Sequence, residues 1–211
     1  MQDTNTTCVS EWQSKKTTQK GNAAEDIAAR ILRSMGYDVY SHPLKLNESH
    51  EIDFFMIDRY NMKVIMVDAK CKAKRVYYPD SGIEFKHYIS YKKYASKHNM
   101  DVFIVFVDEK YGKIYGNYLS ILETVCKPIT TKDFKFTEPQ ESTVYPRTES
   151  GKGTEGVIYF PLALMNKMGD LSNEEIAHLR SLTENVDYTI EPNDITTQLI
   201  GDDSWIYRFK N

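Results

Sequence analysis

Two apolar runs close together constrain this chain most: Glu51–Ile57 (EIDFFMI) and Val64–Lys70 (VIMVDAK). Both have the β-branched and aromatic content of strands, and both carry charges that a buried strand should lack. A strand alternates faces with a period of two, so Asp68 and Lys70 project from one face and Ile65, Val67 and Ala69 from the other. Between the runs, Arg59–Met62 reads as a hairpin loop. If the hairpin is symmetric about the Tyr60–Asn61 bond, Asp58 faces Lys63 and Asp53 faces Asp68. Opposed residues have Cβ atoms about 4.5–5.5 Å apart. The arithmetic puts two carboxylates side by side with Lys70 one step along, and a slip of one residue in register would undo it.

The rest of the composition is that of an ordinary globular protein. The chain has 211 residues, 41% of them hydrophobic and 27% charged, enough for one good core. A net charge of −3 gives no global pull toward nucleic acid, so any such surface has to be local. Cys8, Cys71 and Cys126 are odd in number and without metal-site spacing, which favours a reducing, cytoplasmic setting over a disulfide framework. No apolar run approaches the roughly 18 residues of a membrane span, and no apolar signal segment opens the sequence.

Taken in order, residues 1–18 read as a flexible polar leader, 19–126 as the core and 127–211 as a C-terminal α+β extension packed on it. The spacing of Ala24, Ile27, Ala28, Ile31, Leu32 and Met35 predicts a helix over about 22–35, stopped at Gly36. Asp26, Arg30 and Arg33 fall on its solvent side, whereas Glu25 sits at the margin of the apolar stripe. Glu25 is there either as a site residue or as an ordinary first-turn glutamate favoured by the helix dipole. A short strand is expected at Tyr37–Tyr40. A second helix is expected over about 82–98, with Phe85, Tyr88, Ile89 and Ala95 inward and His87 and Tyr91 on its flank. Asp101–Val107 reads as a central strand, Lys113–Leu119 as another, and 120–125 as a short helix. Beyond a loop over 128–154, Gly156–Phe160 and Trp205–Phe209 are strand-like. Ser172 with Glu175 forms a capping box at the head of a helix. Helix–strand–strand–helix–strand describes an α/β layer on a mixed central sheet flanked by helices.

Paired acids beside a lysine suit phosphodiester hydrolysis, which needs charge neutralised and a nucleophile made near neutral pH; a divalent cation does both. Magnesium takes oxygen ligands and keeps several waters, so one or two carboxylates suffice. Asp53 and Asp68 are the expected ligands, with the Ala69 carbonyl as a further donor. Two adjacent carboxylates otherwise repel each other. Glu25 would complete such a site, and Lys70 would orient water or hold phosphate.

Glu25 on a first helix, Asp53 on a strand and Asp68-Ala69-Lys70 on the next resembles the PD-(D/E)xK nuclease superfamily, in its Holliday junction resolvase-like branch. The resemblance covers about residues 20–108. It implies a restriction-endonuclease-like fold, Mg²⁺ or Mn²⁺ held by the two acids, a lysine that positions water, and DNA as substrate. Ile52 stands where the proline of the family's name would be, and Asp68 fills the (D/E) position. Many such nucleases pair to cut two strands, so the resemblance leaves a homodimer open.

Local charge points the same way. From Asp68 to Asn99, eight Lys or Arg stand against three acids. Lys72, Lys74 and Arg75, directly after the catalytic strand, together with His87 and Tyr91, are the expected nucleic-acid contacts. His50-Glu51 begins a zinc-protease pattern, but Phe54 stands where the second histidine belongs. Two functions remain open on these residues: a metal-dependent endonuclease, or a non-cleaving binding module that keeps the nuclease fold.

Overall fold

The computed structural model describes residues 15–41, 52–74, 79–125, 144–148 and 154–183. In chain order the elements are α1 (Lys16–Ser34), β1 (Asp38–Ser41), β2 (Phe54–Asp58), β3 (Lys63–Cys71), β4 (Asp80–Glu84), α2 (Phe85–His98) and β5 (Asp101–Asp108). They continue with β6 (Lys113–Tyr118), α3 (Leu119–Leu122), β7 (Val144–Thr148), β8 (Thr154–Pro161), β9 (Asn166–Asp170) and α4 (Asn173–Ser181). The result is a mixed α/β architecture. Six strands form the central sheet in the order β1-β2-β3-β5-β6-β9, and β4-β8-β7 form a second, three-stranded sheet.

The β3–β5 pair is parallel and the other ladders of the central sheet are antiparallel. Alternation along β3 divides the core in two. Ile65, Val67 and Ala69 pack with Ala24, Ile27, Ala28, Ile31 and Leu32 of α1 and with Leu179 of α4. Met66 packs on the opposite face with Tyr91 of α2, Ile83 of β4, and Ile158 and Phe160 of β8. The central sheet is therefore covered by α1 and α4 on one side and by α2 and the small sheet on the other. β5 is buried from Val102 to Asp108, as its almost unbroken apolar run requires of a strand covered on both faces.

The hairpin that opened the sequence reading is held by its own turn. Oδ1 of Asp58 accepts from the amides of Tyr60 and Asn61, and Oδ2 from the Asn61 side chain. This Asx-type turn fixes the loop length and with it the register. Asp58 pairs with Lys63 and Phe54 with Val67, as the sequence arithmetic requires.

Several boundaries differ from the sequence expectation. α1 starts at Lys16, so residues 16–18 of the leader are helical; Lys20, in the next turn, reaches across to pair with Glu109. Residues 1–14 lie outside the described residues. Gly36 does end α1, at φ 93°, a conformation that only glycine adopts at little cost. Residues 82–84 are strand rather than helix. A Cβ at Gly82 would sit 2.7 Å from the carbonyl oxygen of Ile158, so a bare backbone lets β4 lie against β8. α2 accordingly begins only at Phe85, with Asn99 in the left-handed conformation at its C-cap.

β9, with a single apolar side chain, gave no strand signal; it is recruited as an edge by β6. The capping box of Ser172 and Glu175 is formed at the head of α4, and Glu175 also pairs with Arg30 of α1. Beyond residue 127 the described segments join existing layers, β9 in the central sheet and β8 beside β4. The strand expected at 205–209 lies outside the described residues. Among the described residues no helix is long and apolar enough to cross a membrane.

Candidate active site

The β2–β3 ladder ends at the Phe54–Val67 pair, one step short of the expected Asp53–Asp68 pair, and Asp53 lies near enough for its charge to raise the Asp68 carboxyl. Asp53 follows the end of the ladder: its amide donates to the carbonyl of Val67 (3.0 Å), and its Oδ2 accepts from the amide of Ala69 (2.7 Å). The side chain thus takes the place of a backbone acceptor where β2 has run out. It is locked beside β3, and only 8% exposed.

Asp68 is 2% exposed. Nζ of Lys70, on the same face, stands 3.0 Å from its Oδ1 and 2.9 Å from its Oδ2. Only the first contact has hydrogen-bond geometry, which leaves Oδ2 buried without a hydrogen bond. The Tyr91 hydroxyl of α2 stands by the same carboxylate and favours its charged form. Burial dominates and pushes the Asp68 carboxyl up to about 6. The charge of Asp53 adds to this, while Lys70 and the Tyr91 hydroxyl oppose it. Lys70 feels the opposite balance. Burial disfavours its charge, but Asp68, Asp53 and Glu84 together outweigh burial and hold its pKa above the usual lysine value.

Glu84, which the sequence did not single out, stands beside this lysine. It is the last residue of β4 and the N-cap of α2. Its Oε1 accepts from Lys72 (2.8 Å), and Nδ1 of His87 lies 3.2 Å from its Oε2. Those partners, His87 first, hold its carboxyl well below the usual range. An available signal was the spacing: Glu84 and His87 are three residues apart, straddling a helix start that follows an alternating run.

The structure sorts the other expected residues. Asp53, Asp68, Ala69 and Lys70 come together. The Ala69 amide points at Asp53, and in an extended strand the carbonyl of the same residue points to the same edge. Glu25 is not brought to them. It rises from α1, whose apolar stripe packs on the opposite face of β3, and among the described residues no three Asp, Glu, His or Cys side chains are grouped so that they could hold a metal ion. Lys72 and His87 lie at the site, both engaged with Glu84.

Two expected nucleic-acid contacts are corrected by burial. Lys74 is 5% exposed and lies over the ring of Tyr111, 4.3 Å from its centroid, so it offers no phosphate a surface. Tyr91 is 2% exposed and faces the sheet, not the flank, because its hydroxyl finds a partner in Asp68 and its ring can then be buried. Arg75 lies outside the described residues.

Donor chemistry decides which cation the pair fits. Asp53 and Asp68 offer hard oxygens on one face, Asp68 has a buried oxygen without a hydrogen bond, and the Ala69 carbonyl borders them. That set suits Mg²⁺ or Mn²⁺ completed by water, and it lacks the sulfur and imidazole ligands of a structural zinc site. No protein-family model matches the sequence, and no curated protein matches it.

Proposed function

We propose that the protein is a metal-dependent endonuclease that hydrolyses DNA phosphodiester bonds, with Mg²⁺ or Mn²⁺ held by Asp53 and Asp68. One observation carries the reading: two buried carboxylates, Asp68 on β3 and Asp53 anchored to the neighbouring Ala69 amide, lie near each other with a charged lysine two residues along from one of them. Two carboxylates desolvated together are costly unless a cation belongs with them. DNA as the substrate, and the restriction-endonuclease-like fold, rest on the sequence resemblance and on the basic stretch from Asp68 to Asn99.

When bound, the cation would supply charge neutralisation and a more acidic water. The chain's own contributions are separate. The Ala69 amide orients Asp53, and the Tyr91 hydroxyl and the Lys70 ammonium orient Asp68. Lys70, once its carboxylate partner is shared, is placed to hold a phosphate oxygen or the attacking water. Glu84 keeps Lys72 and His87 at the mouth of the site.

The test compares wild type, Asp68→Ala and Lys70→Ala on linear, nicked, branched and single-stranded DNA with and without Mg²⁺. Cleavage by wild type alone, and only with the cation, is the expected result. DNA binding without cleavage, unchanged by Lys70→Ala, would instead make the chain a binding module on the same fold.

A further inference from the structure

We infer that the outward face of α2, centred on Lys93 and Lys97, docks the sugar-phosphate backbone of duplex DNA leading away from the Asp53–Asp68 site. The inference rests on the DNA-cutting reading for its direction, and on the charge of α2 for its substance.

α2 (FKHYISYKKYASKH) has four lysines, two histidines and no acid. A helix built only for stability would interleave acids at three- and four-residue spacing and keep cations out of its first turn. This one does neither: Lys86 and His87 stand in the first turn, and Lys93 and Lys97, one turn apart, repel each other. At about 100° per residue, Lys86, Lys93 and Lys97 fall within an arc of about 40° on the side away from Tyr91.

The acids nearby are engaged elsewhere. Glu84 is taken by Lys72 and His87, and Glu123 by Lys92 and the Tyr88 hydroxyl. Lys93 and Lys97 are exposed and have no ion-pair partner among the described residues. Several cations elsewhere are paired: Arg30 with Glu175, Arg59 with Asp38, Lys63 with Asp101, and Lys113 and Lys167 with Asp170, while among the described residues exposed Arg33 bonds only the Val39 carbonyl. Two bare charges thus stand one turn apart on the helix whose first turn borders the site.

The geometry favours a duplex backbone over unstacked bases. Lys86 to Lys97 spans about 16 Å along the axis, close to five base-pair steps of about 3.4 Å. Single-strand grooves add rings on which bases stack. The rings of α2 are turned elsewhere: Tyr91 is buried, Tyr88 bonds Glu123, and Tyr94 packs on His98 with centroids 4.4 Å apart. Lysines without stacking rings read phosphate charge, not sequence.

The experiment is fluorescence anisotropy of the full chain without divalent cation. The probes are a labelled 30-base-pair duplex in two unrelated sequences and a single strand of equal length, each across a salt series. Lys93→Ala/Lys97→Ala is compared with wild type and with Lys113→Ala/Lys167→Ala, which removes paired lysines. The expected result is tighter wild-type binding to duplex than to single strand. The α2 variant should lose about tenfold or more in affinity, equally on both duplexes, with a salt slope about two shallower, one for each lost phosphate contact. The paired-lysine control should match wild type. An unchanged slope in the α2 variant, a preference for single strand, or no wild-type binding overturns the inference. Cleavage is read separately. A wild type that cuts DNA while the α2 variant binds normally sinks the docking face alone. Binding lost in the variant of a protein that never cuts sinks the nuclease reading alone.

Discussion

The Ala69 amide donates to Oδ2 of Asp53 over 2.7 Å, across the end of the β2–β3 ladder. This bond holds an acid just beyond a strand beside β3, near Asp68, and it separates the structural from the chemical part of Asp53. Asp53→Asn keeps an acceptor for the amide and should unfold in urea near the wild-type midpoint. Asp53→Ala leaves a buried donor bare and should lose about 1–3 kcal/mol. Both should abolish metal-dependent cleavage. Equal destabilisation by the two variants would show that the bond does not hold the strand end.

Asp68 gives the site a pH signature. Its carboxyl is raised to about 6 in the fold from an ordinary value of 3.8, so the folded chain holds that proton more tightly than the unfolded one. Its ionisation therefore opposes folding. The penalty is absent below about pH 4, grows as pH rises through about 6, and is then constant, on the order of 2–3 kcal/mol. Asp108 is also raised to about 6 by burial, but it is present in both proteins of a comparison and cancels. The stability of Asp68→Asn relative to wild type, followed by thermal melts without metal, should increase between pH 4 and 6. A difference that is flat or narrows across that window contradicts the burial of a charged Asp68.

Tyr91 acts through Asp68. Tyr91→Phe keeps the buried ring and deletes the hydroxyl that favours the charged carboxylate. The expected outcome is a modest stability change of about 1 kcal/mol and a roughly tenfold rise in the Mn²⁺ concentration needed for half-maximal cleavage. An unchanged metal requirement with the same stability loss would reduce Tyr91 to packing.

Gly82 tests the fold independently of the chemistry. A methyl there meets the Ile158 carbonyl at 2.7 Å and the Val157 and Tyr159 side chains within 2.9 Å. Gly82→Ala should push β4 off β8 and cost about 1–3 kcal/mol. A variant as stable as wild type would mean that the two strands lie further apart.

The legible part of the sequence was whatever local rules decide. The Asp58 turn chemistry and the period of two set the β2–β3 register from Asp58–Lys63 to Phe54–Val67, and the helical stripe of α1 and the capping box of α4 followed from spacing. What escaped depended on long-range partners. Residues 82–84 carry a helical signal, and the reason for strand at Gly82 is the approach of Tyr159 on β8, distant in sequence. Lys74 and Tyr91 were read as surface because a lysine and a tyrosine announce neither the Tyr111 ring nor the Asp68 carboxylate that lets them be buried. Glu84 became visible only when β4 and α2 brought it to Lys70. Glu25 lay at the right helical angle on a helix that packs on the other face.

The most direct test of the central claim is the initial rate of plasmid nicking as a function of Mg²⁺ concentration, measured for wild type and Asp68→Asn side by side. The expected result is a saturable, cation-dependent rate for wild type and a loss of about a hundredfold or more for the variant, with both proteins folded. Nicking that persists in Asp68→Asn, or that proceeds in wild type with the cation chelated, would contradict it.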